Sequence, residues 1–298
     1  MKGVKELKAR IKSIGNIRKV TSTMELVATT KMKKLQGRAE ATRPFADAIR
    51  AMMSRVARHA PEDTSPLLVA PSEVKRECVI VIGGTKGLCG PFNSNLSRKA
   101  VSHVREVEKK DVEVDVYTLG RRATLLFQKI KQSFAGSYDG RLEYADYRAM
   151  SKVMASLADS FVEGNYQRVS LVYTAFESVV KFVPTVETLL PLAALPTGGE
   201  EEGDDAEVAG GEIEYIMEPS PKEILARLIP KSLEMKFFNA VLESLASEFA
   251  ARRIAMKNAT DAAGDMIDDL TREYNKARQA GITAELLEIA AGAEALKG

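Results

Sequence analysis

The sequence predicts an α/β domain inserted into a long coiled coil: an antiparallel pair of N- and C-terminal helices, with a Rossmann-like, mostly parallel sheet between them. Three observations predict it. Within the run from Pro221 to Ala290, apolar or small residues recur at alternating four- and three-residue steps, the spacing of a heptad seam. A second helical period runs through the first sixty residues. Between the two, short β-rich runs alternate with helical stretches, and that order implies crossover units and a parallel sheet.

The first helix is read from Val4, Leu7, Ile11, Ile14, Ile17, Val20, Met24 and Val27. One three-residue step falls where four is due, a stammer that would overwind a coiled coil locally. The pattern continues through Met32 and Leu35 to Pro44, where proline is expected to kink or interrupt the helix, and resumes from Phe45 to about Arg58. The segment Ala60 to Val74, with Pro61, Pro66 and Pro71, reads as an extended or turning linker.

Beyond it, Cys78 to Gly83, Val112 to Tyr117 and Val169 to Tyr173 read as strands. Asn95 to Lys109, Arg121 to Ile130 and Glu143 to Glu163 read as helices, and Glu177 to Thr188 as a further strand turning back at an edge. Pro196 to Gly211 is rich in glycine and acid, with too little apolar surface to fold alone. Glu212 to Glu218 alternates like a strand.

Ser220 is the expected N-cap of the long helix and Pro221 its first residue, with Glu223 suited to the helix dipole. Pro230 is expected to split off a short first helix. The seam then reads Phe238, Leu242, Leu245, Phe249, Met256, Ala259, Ala263, Met266, Leu270 and Ala277, with Arg252 and Glu273 in two of its positions. At about 1.5 Å per residue the run from Pro221 is roughly 100 Å long, so it projects from any small domain and needs a partner, which the first sixty residues supply. Past Ala277 the apolar residues are Ile282, Leu286 and Ile289, a stretch expected to run alone. The expected divisions are therefore residues 1–60, 61–218 with an acidic loop at 197–211, and 219–298.

Charge is unevenly distributed. The chain of 298 residues has a net charge of only +2, yet Met1 to Ala60 holds fifteen Lys or Arg against four acidic residues, while Glu200, Glu201, Glu202, Asp204, Asp205 and Glu207 gather the opposite sign. The basic start is not read as a transit peptide, because its period continues past any cleavage point. No run of eighteen apolar residues exists, so no segment reads as a membrane-spanning helix. Two cysteines, Cys78 and Cys89, without a pairing motif, fit a reducing compartment better than a disulfide framework.

Candidate chemistry is sparse. Gly83 to Gly90 follows the first strand as a glycine-rich turn into a helix, a place where backbone N–H groups can cradle phosphate. Its spacing matches neither common nucleotide fingerprint, and Gly84, Gly87 and Gly90 are explained by positive φ angles in a tight turn. Cys89 lacks an evident base, since the only histidines are His59 and His103, and a thiol nucleophile needs one. Asp268 and Asp269 read as a solvated face. No catalytic, cofactor or metal site is therefore expected. The basic N-terminal helix leaves two partners open, phosphates of a nucleic acid or an acidic protein surface. Arg252, charged in a seam, either pairs with Glu248 one turn earlier or faces another protein.

Several motifs now stand together: Ile14-Gly-Asn-Ile-Arg-Lys-Val-Thr21, Met24-Glu-Leu-Val-Ala28, Lys31-Met-Lys-Lys34, Arg43-Pro-Phe-Ala46, Gly87-Leu-Cys-Gly90 with Asn93 and Asn95, Pro184-Thr185, Leu189-Leu-Pro191, Ala255-Met-Lys-Asn-Ala-Thr-Asp261, Tyr274-Asn-Lys-Ala-Arg-Gln279 and Ile282-Thr-Ala-Glu-Leu286. In these, over essentially its whole length, the chain resembles the gamma subunits of bacterial F-type ATP synthases. The resemblance implies a non-catalytic rotor shaft of a proton-translocating enzyme, without cofactor, peripheral on the cytoplasmic face of the inner membrane. It implies alpha, beta, epsilon and delta subunits and the membrane c-ring as partners, and no nucleic acid.

Carried onto this sequence, Met24 and Arg252 match positions that meet the acidic lever loop of beta, and Gln279 and Thr283 match polar positions near the upper bearing. Tyr215 and Glu218 match the epsilon and c-ring side, and Gly87, Cys89 and Gly90 match the turn into the α/β domain. The resemblance further implies that Arg252→Glu would impair ATP synthesis and spare the fold. Thr85-Lys86 departs from the family's Asp-Arg, Met217 stands where tyrosine is common, and the cysteine-bearing regulatory insert of chloroplast relatives is missing.

Overall fold

The computed structural model describes residues 3–58, 65–138, 140–144, 146–192 and 217–295. Two helices frame it, α1 (Val4–Ala57) and α5 (Pro221–Ala295), of 54 and 75 residues, or roughly 80 and 110 Å at the helical rise. They run antiparallel. Going up α1, the residue met on α5 moves down: Arg18 lies against Gly264, Thr260 donates to the Thr21 hydroxyl at 2.7 Å, Lys31 lies 5.4 Å from the Phe249 ring centroid, and Thr42 donates to Asn239 Oδ1 at 2.7 Å.

The seam on α1 is an unbroken heptad. Leu7, Ala28, Met32, Leu35, Ile49, Met53 and Val56 are buried, and the same four-and-three register passes through Ile11, Ile14, Arg18, Thr21 and Glu25. The stammer expected at Ile17 is therefore absent. Ile17, Val20, Met24 and Val27 form a second, exposed stripe beside the seam. On α5 the expected register fails at two points. Met266 is 55% exposed and Glu273 is exposed, while their neighbours Ile267 and Tyr274 are half-buried, as are Gly264, Leu270 and Thr271. In both helices two apolar stripes lie side by side, and only the partner selects one.

Neither proline breaks its helix, contrary to expectation: Pro44 lies inside α1 and Pro230 inside α5. Each removes one intrahelical hydrogen bond. Pro44 sits on the exposed face one turn from the buried Ile49, and Pro230 is flanked by the fully buried Leu225, Ile229 and Leu233. Burial of such side chains, about 1.5–3 kcal/mol each, outweighs the lost bond.

Between the helices, the described residues form a five-stranded sheet ordered β3-β2-β1-β4-β5, with β1 Arg76–Ile82, β2 Glu113–Leu119, β3 Ser133–Tyr138, β4 Arg168–Phe176 and β5 Phe182–Leu190. The first four are parallel, and β5 returns antiparallel to β4 at the edge, as its position after β4 implies. Helices α2 (Phe92–Glu108) and α3 (Arg121–Lys129) pack on one face, burying Val79, Val81, Val116 and Val172. Helix α4 (Tyr147–Val162) and α5 cover the other, over Cys78, Ile80, Ile82 and Leu171. The chain reverses direction across the sheet between β3 and β4, which sends α4 to the opposite face from α2 and α3.

The sequence reading lacks β3. Ser133-Phe-Ala-Gly-Ser-Tyr138 has no β-branched residue and is largely exposed, so its strand comes from the ladder with β2. The helix expected from Glu143 to Glu163 begins instead as a 3-10 turn, Leu142–Tyr144, before α4, whose N-cap Asp146 accepts from Ala149 N at 2.9 Å. Ser220 caps α5 as expected, accepting from Glu223 N at 3.3 Å. The acidic loop 197–211 and Tyr215 lie outside the described residues, and so does most of the strand expected at 212–218. Its last two residues, Met217 and Glu218, are not in a strand.

Candidate functional site

The exposed stripe of α1 forms one wall of a groove. Val20, Met24 and Val27 face the turn Thr85–Leu88 after β1, with Leu245, Phe249 and Arg252 of α5 as the floor, around a cavity of about 640 Å³. Met24 is 40% exposed and Leu88 is 64% exposed. Lys19 and Lys86 also line it, and so does Lys31, whose charge is met there by Glu143. An apolar trough rimmed by cations suits an amphipathic, acidic segment of another chain.

Met24, Arg252 and Gly87 therefore share one site, although they lie far apart in the chain. Arg252 does not project freely. Its guanidinium pairs with Glu248, donates to Gly87 O at 3.3 Å and lies 5.0 Å from the Phe249 ring centroid, leaving its side chain 12% exposed. The pairing with Glu248 one turn away is the reading the structure realises. Glu248 is 3% exposed. Burial pushes its carboxyl pKa up, opposed by the Arg252 charge and by hydrogen bonds from Arg252 and the Thr85 N–H, with Glu143 adding to the rise. Arg252→Glu would place two buried carboxylates together, so the structure predicts that it costs stability as well as any coupling.

The glycine-rich turn holds no cradle for phosphate. Gly84 N donates to Asn93 Oδ1 at 3.0 Å, and Thr85 N–H is directed at Glu248, so an internal carboxylate occupies the place an anion would take. The positive φ angles fall at Leu88 and Gly90, not at Gly84 or Gly87 as expected. Gly84 is required by close approach: a Cβ there would lie 2.7 Å from Asn93 Oδ1 and 3.2 Å from Glu248 Cδ. Cys89 is buried and free. Its sulfur accepts from Asn93 Nδ2 at 3.1 Å, and burial followed by the nearby Glu248 raises its pKa, the reverse of what a nucleophile needs.

Sequence reasoning missed the tie between α1 and the α/β domain at this groove: Lys31 Nζ meets Glu143 Oε2 at 2.5 Å. Lys31 stands within a recognised motif, but its partner is 112 residues away, beyond any local signal. A second buried charge also went unread. Glu77 accepts from Ser170 Oγ at 2.5 Å and contacts His103 Nε2 at 3.2 Å and Arg168 Nη1 at 3.4 Å. Burial pushes its pKa up, but the hydrogen bonds of His103 and Ser170 and the charges of His103 and Arg168 outweigh it and hold the carboxyl below its usual range. This cluster lies at the amino ends of β1 and β4, away from the groove.

The remaining candidates stand apart. Gln279 and Thr283 are exposed on α5, with Thr283 Oγ1 donating to Gln279 O at 3.0 Å. Glu218 is exposed just before α5. Among the described residues no three His, Cys, Asp or Glu side chains gather as for a metal ion, and no helix is long and apolar enough to cross a membrane.

Comparison with known proteins agrees with this architecture. The profile of the ATP synthase family matches residues 3–296. The "ATP synthase gamma chain" of Desulfosudis oleivorans is 38% identical over 306 aligned residues, covering 100% of both chains. That of Leptospira biflexa (strain Patoc 1 / Ames) is 38% identical, with 98% of each chain covered. Among solved structures, a chain of the Euglena gracilis mitochondrial ATP synthase assembly of OSCP, F1 and c-ring superposes with a TM-score of 0.66 at 18% identity, covering 98% of this chain and 94% of that one. A central stalk and c-ring structure from Tetrahymena thermophila gives a TM-score of 0.56 at 21% identity, covering 80% of this chain and 99% of that one.

Proposed function

Because this chain belongs to the ATP synthase family and matches its gamma chains from end to end, we propose that the groove between α1 and the Thr85–Leu88 turn is where the central stalk meets the catalytic ring. The role of the chain is that of a central-stalk subunit. On the proposed reading it carries no chemistry of its own. It turns inside alternating alpha and beta subunits, and its asymmetry favours a different conformation in each beta subunit, the differential binding any such coupling requires. Residues 1–60 and 219–298 form the shaft and 61–218 the foot.

Met24, with Val20 and Val27, offers the apolar contact to the acidic lever loop of beta, and Arg252 supports it from the floor. Gln279 and Thr283 serve the upper bearing. Tyr215 and Glu218 face epsilon and the c-ring, with delta at the periphery of the same assembly, and the complex lies on the cytoplasmic face of the membrane, coupling ATP synthesis to hydrogen ion flow.

The observation that carries the reading is the exposed stripe of α1: four large apolar residues at heptad spacing, left uncovered beside a seam that is already filled. Three cations of the same helix are engaged within the chain and so less open to phosphates: Arg10 pairs with Glu6, Lys31 with Glu143, and Arg38 lies over Phe238.

The test is Met24→Asp, a change at an exposed position that spares the seam. Assembly and the thermal midpoint should stay unchanged, while coupled ATP synthesis in membrane vesicles falls at least tenfold, equivalent to about 1.4 kcal/mol. Met24→Leu should restore it. Full synthesis by Met24→Asp would remove this surface from the coupling path.

A further inference from the structure

We propose that the groove between α2 and α3 is a docking site for an acidic amphipathic helix of another protein. Both helices cover the face of the sheet opposite α4 and α5, away from the groove beside Met24. The surface is thus separate from the residues that carry the central-stalk reading.

The charge of this face is one-sided and unanswered. Residues 92–112 and 121–132, the two helices with the turns that follow them, hold nine Lys or Arg against Glu106, Glu108 and Asp111. All nine cations are exposed, and among the described residues none of them stands in an ion pair. Two of the three acids are engaged by neutral groups instead: Ser102 Oγ donates to Glu106 Oε1 at 2.8 Å, and Gln132 Nε2 to Glu108 Oε1 at 3.0 Å. Elsewhere in the same α/β domain, Arg76 meets Asp115, Arg168 meets Glu77 and Lys181 meets Glu177.

The cations are also arranged. Arg98, Ser102, Arg105 and Lys109 follow one another along α2 and into its last turn at steps of four, three and four, so they share one line of the helix surface. That line borders the groove for roughly 16 Å, about three helical turns. Ser97 and Val101 of α2 and Leu126 of α3 lie between the rims, all three half-buried, around a cavity of about 540 Å³.

This combination specifies its occupant. Two helices side by side on a sheet leave a furrow into which a third helix packs, ridges into grooves, with apolar anchors at three- and four-residue spacing. The apolar floor takes those anchors, and the line of cations takes carboxylates one turn apart beside them, a charge complement that steers and orients the helix. Nucleic acid fits less well, because the only rings of the two helices, Phe92 and Phe127, are buried and offer bases nothing to stack on. A lipid surface fits less well too, since the apolar residues lie sunk between charged rims rather than above them.

The first test measures binding of a helical peptide of about five turns, with a leucine stripe flanked by glutamates, to the full chain. Arg98→Glu with Arg105→Glu should weaken it at least tenfold, and so should glutamine for glutamate in the peptide. Ser102→Trp, at an exposed position, fills the groove without changing its charge and should weaken binding as much. Arg148→Glu with Lys152→Glu makes the same charge change on exposed positions of α4 and should alter it less than twofold. Thermal midpoints should stay unchanged throughout. Equal weakening by the two charge-reversed pairs, or none by Ser102→Trp, would overturn the site, because diffuse charge would then account for the binding.

The second test identifies the occupant in intact cells, with the photoreactive p-benzoylphenylalanine in place of Glu106 in the assembled complex. A cross-link to an acidic, helical segment of another protein, lost with Arg98→Glu and Arg105→Glu but kept with Arg148→Glu and Lys152→Glu, is the expected result. Cross-linking to residues 197–211 of this chain, to lipid or to nucleic acid, or no cross-link at all, would overturn it. Each outcome leaves the central-stalk reading untouched, because that reading is tested at Met24.

Discussion

The lower and upper thirds of α5 are one continuous helix built under opposite conditions. From Ser232 to Ala251 every residue is buried or half-buried, because α1, α4 and the sheet enclose the helix on different sides. From Arg278 to Ala293 every residue is exposed, including Ile282, Leu286, Leu287 and Ile289. Helical propensity does not explain the contrast, since alanine, leucine and glutamate are plentiful in both. The lower third is ordered by tertiary packing. The upper third keeps four large apolar side chains exposed among the described residues.

The comparison breaks if the two thirds answer mutation alike. Phe237→Ala, at a position with no exposure, should cost about 3–5 kcal/mol, read as a lowered denaturation midpoint. Leu286→Ala, at the other end, should stay within about 0.5 kcal/mol. Equal costs would mean that the upper stripe is covered within the chain.

A smaller effect tests the buried charge of the sheet that encloses the lower third. Glu77→Gln removes the partner of Arg168 and His103, and should cost about 3 kcal/mol. Its pH dependence follows from the sign of the shift. A carboxyl held below its usual value in the folded state stabilises the fold above the unfolded value of about 4.3, and that contribution is lost as pH falls through the folded value. Acid titration of stability should therefore be shallower for Glu77→Gln than for the native chain. An identical acid limb in both would sink this assignment.

The smallest effect lies between the two thirds, where the seam turns polar. Thr260→Val deletes the hydrogen bond to Thr21 at a half-buried position, and should cost about 1 kcal/mol, measurable as a shift of the thermal midpoint. No shift would mean that solvent already competes at this height of the coil.

Most of the fold was legible in the sequence, and the failures have a common physical form. The heptads of both helices announce themselves by period, because burial on one face imposes a repeat, and the strands β1, β2, β4 and β5 by short apolar, β-rich runs. The stripe Ile17, Val20, Met24 and Val27 has the same repeat as the true seam and lies beside it, so the reading took the surface for the core. Met266 and Glu273 misled in the same way by one residue. Pro44 and Pro230 broke a local rule that tertiary burial overrode, and β3 carries no local rule at all. In the site, Met24, Arg252 and Gly87 were named one by one, but nothing local said that they share a groove, and Glu143 was not suspected.

By itself the sequence determined that two long helices flank a parallel α/β sheet and must pair, since each carries an apolar stripe too long for a small domain to cover. Only the tertiary structure decided which of two neighbouring stripes became the seam, which stayed exposed, and that a glycine-rich turn suited to phosphate closes instead on Glu248. The reason is that periodicity is local and reports only that residues share a face. Which face is buried depends on the chain that arrives against it, here from as far away as Thr21 is from Thr260.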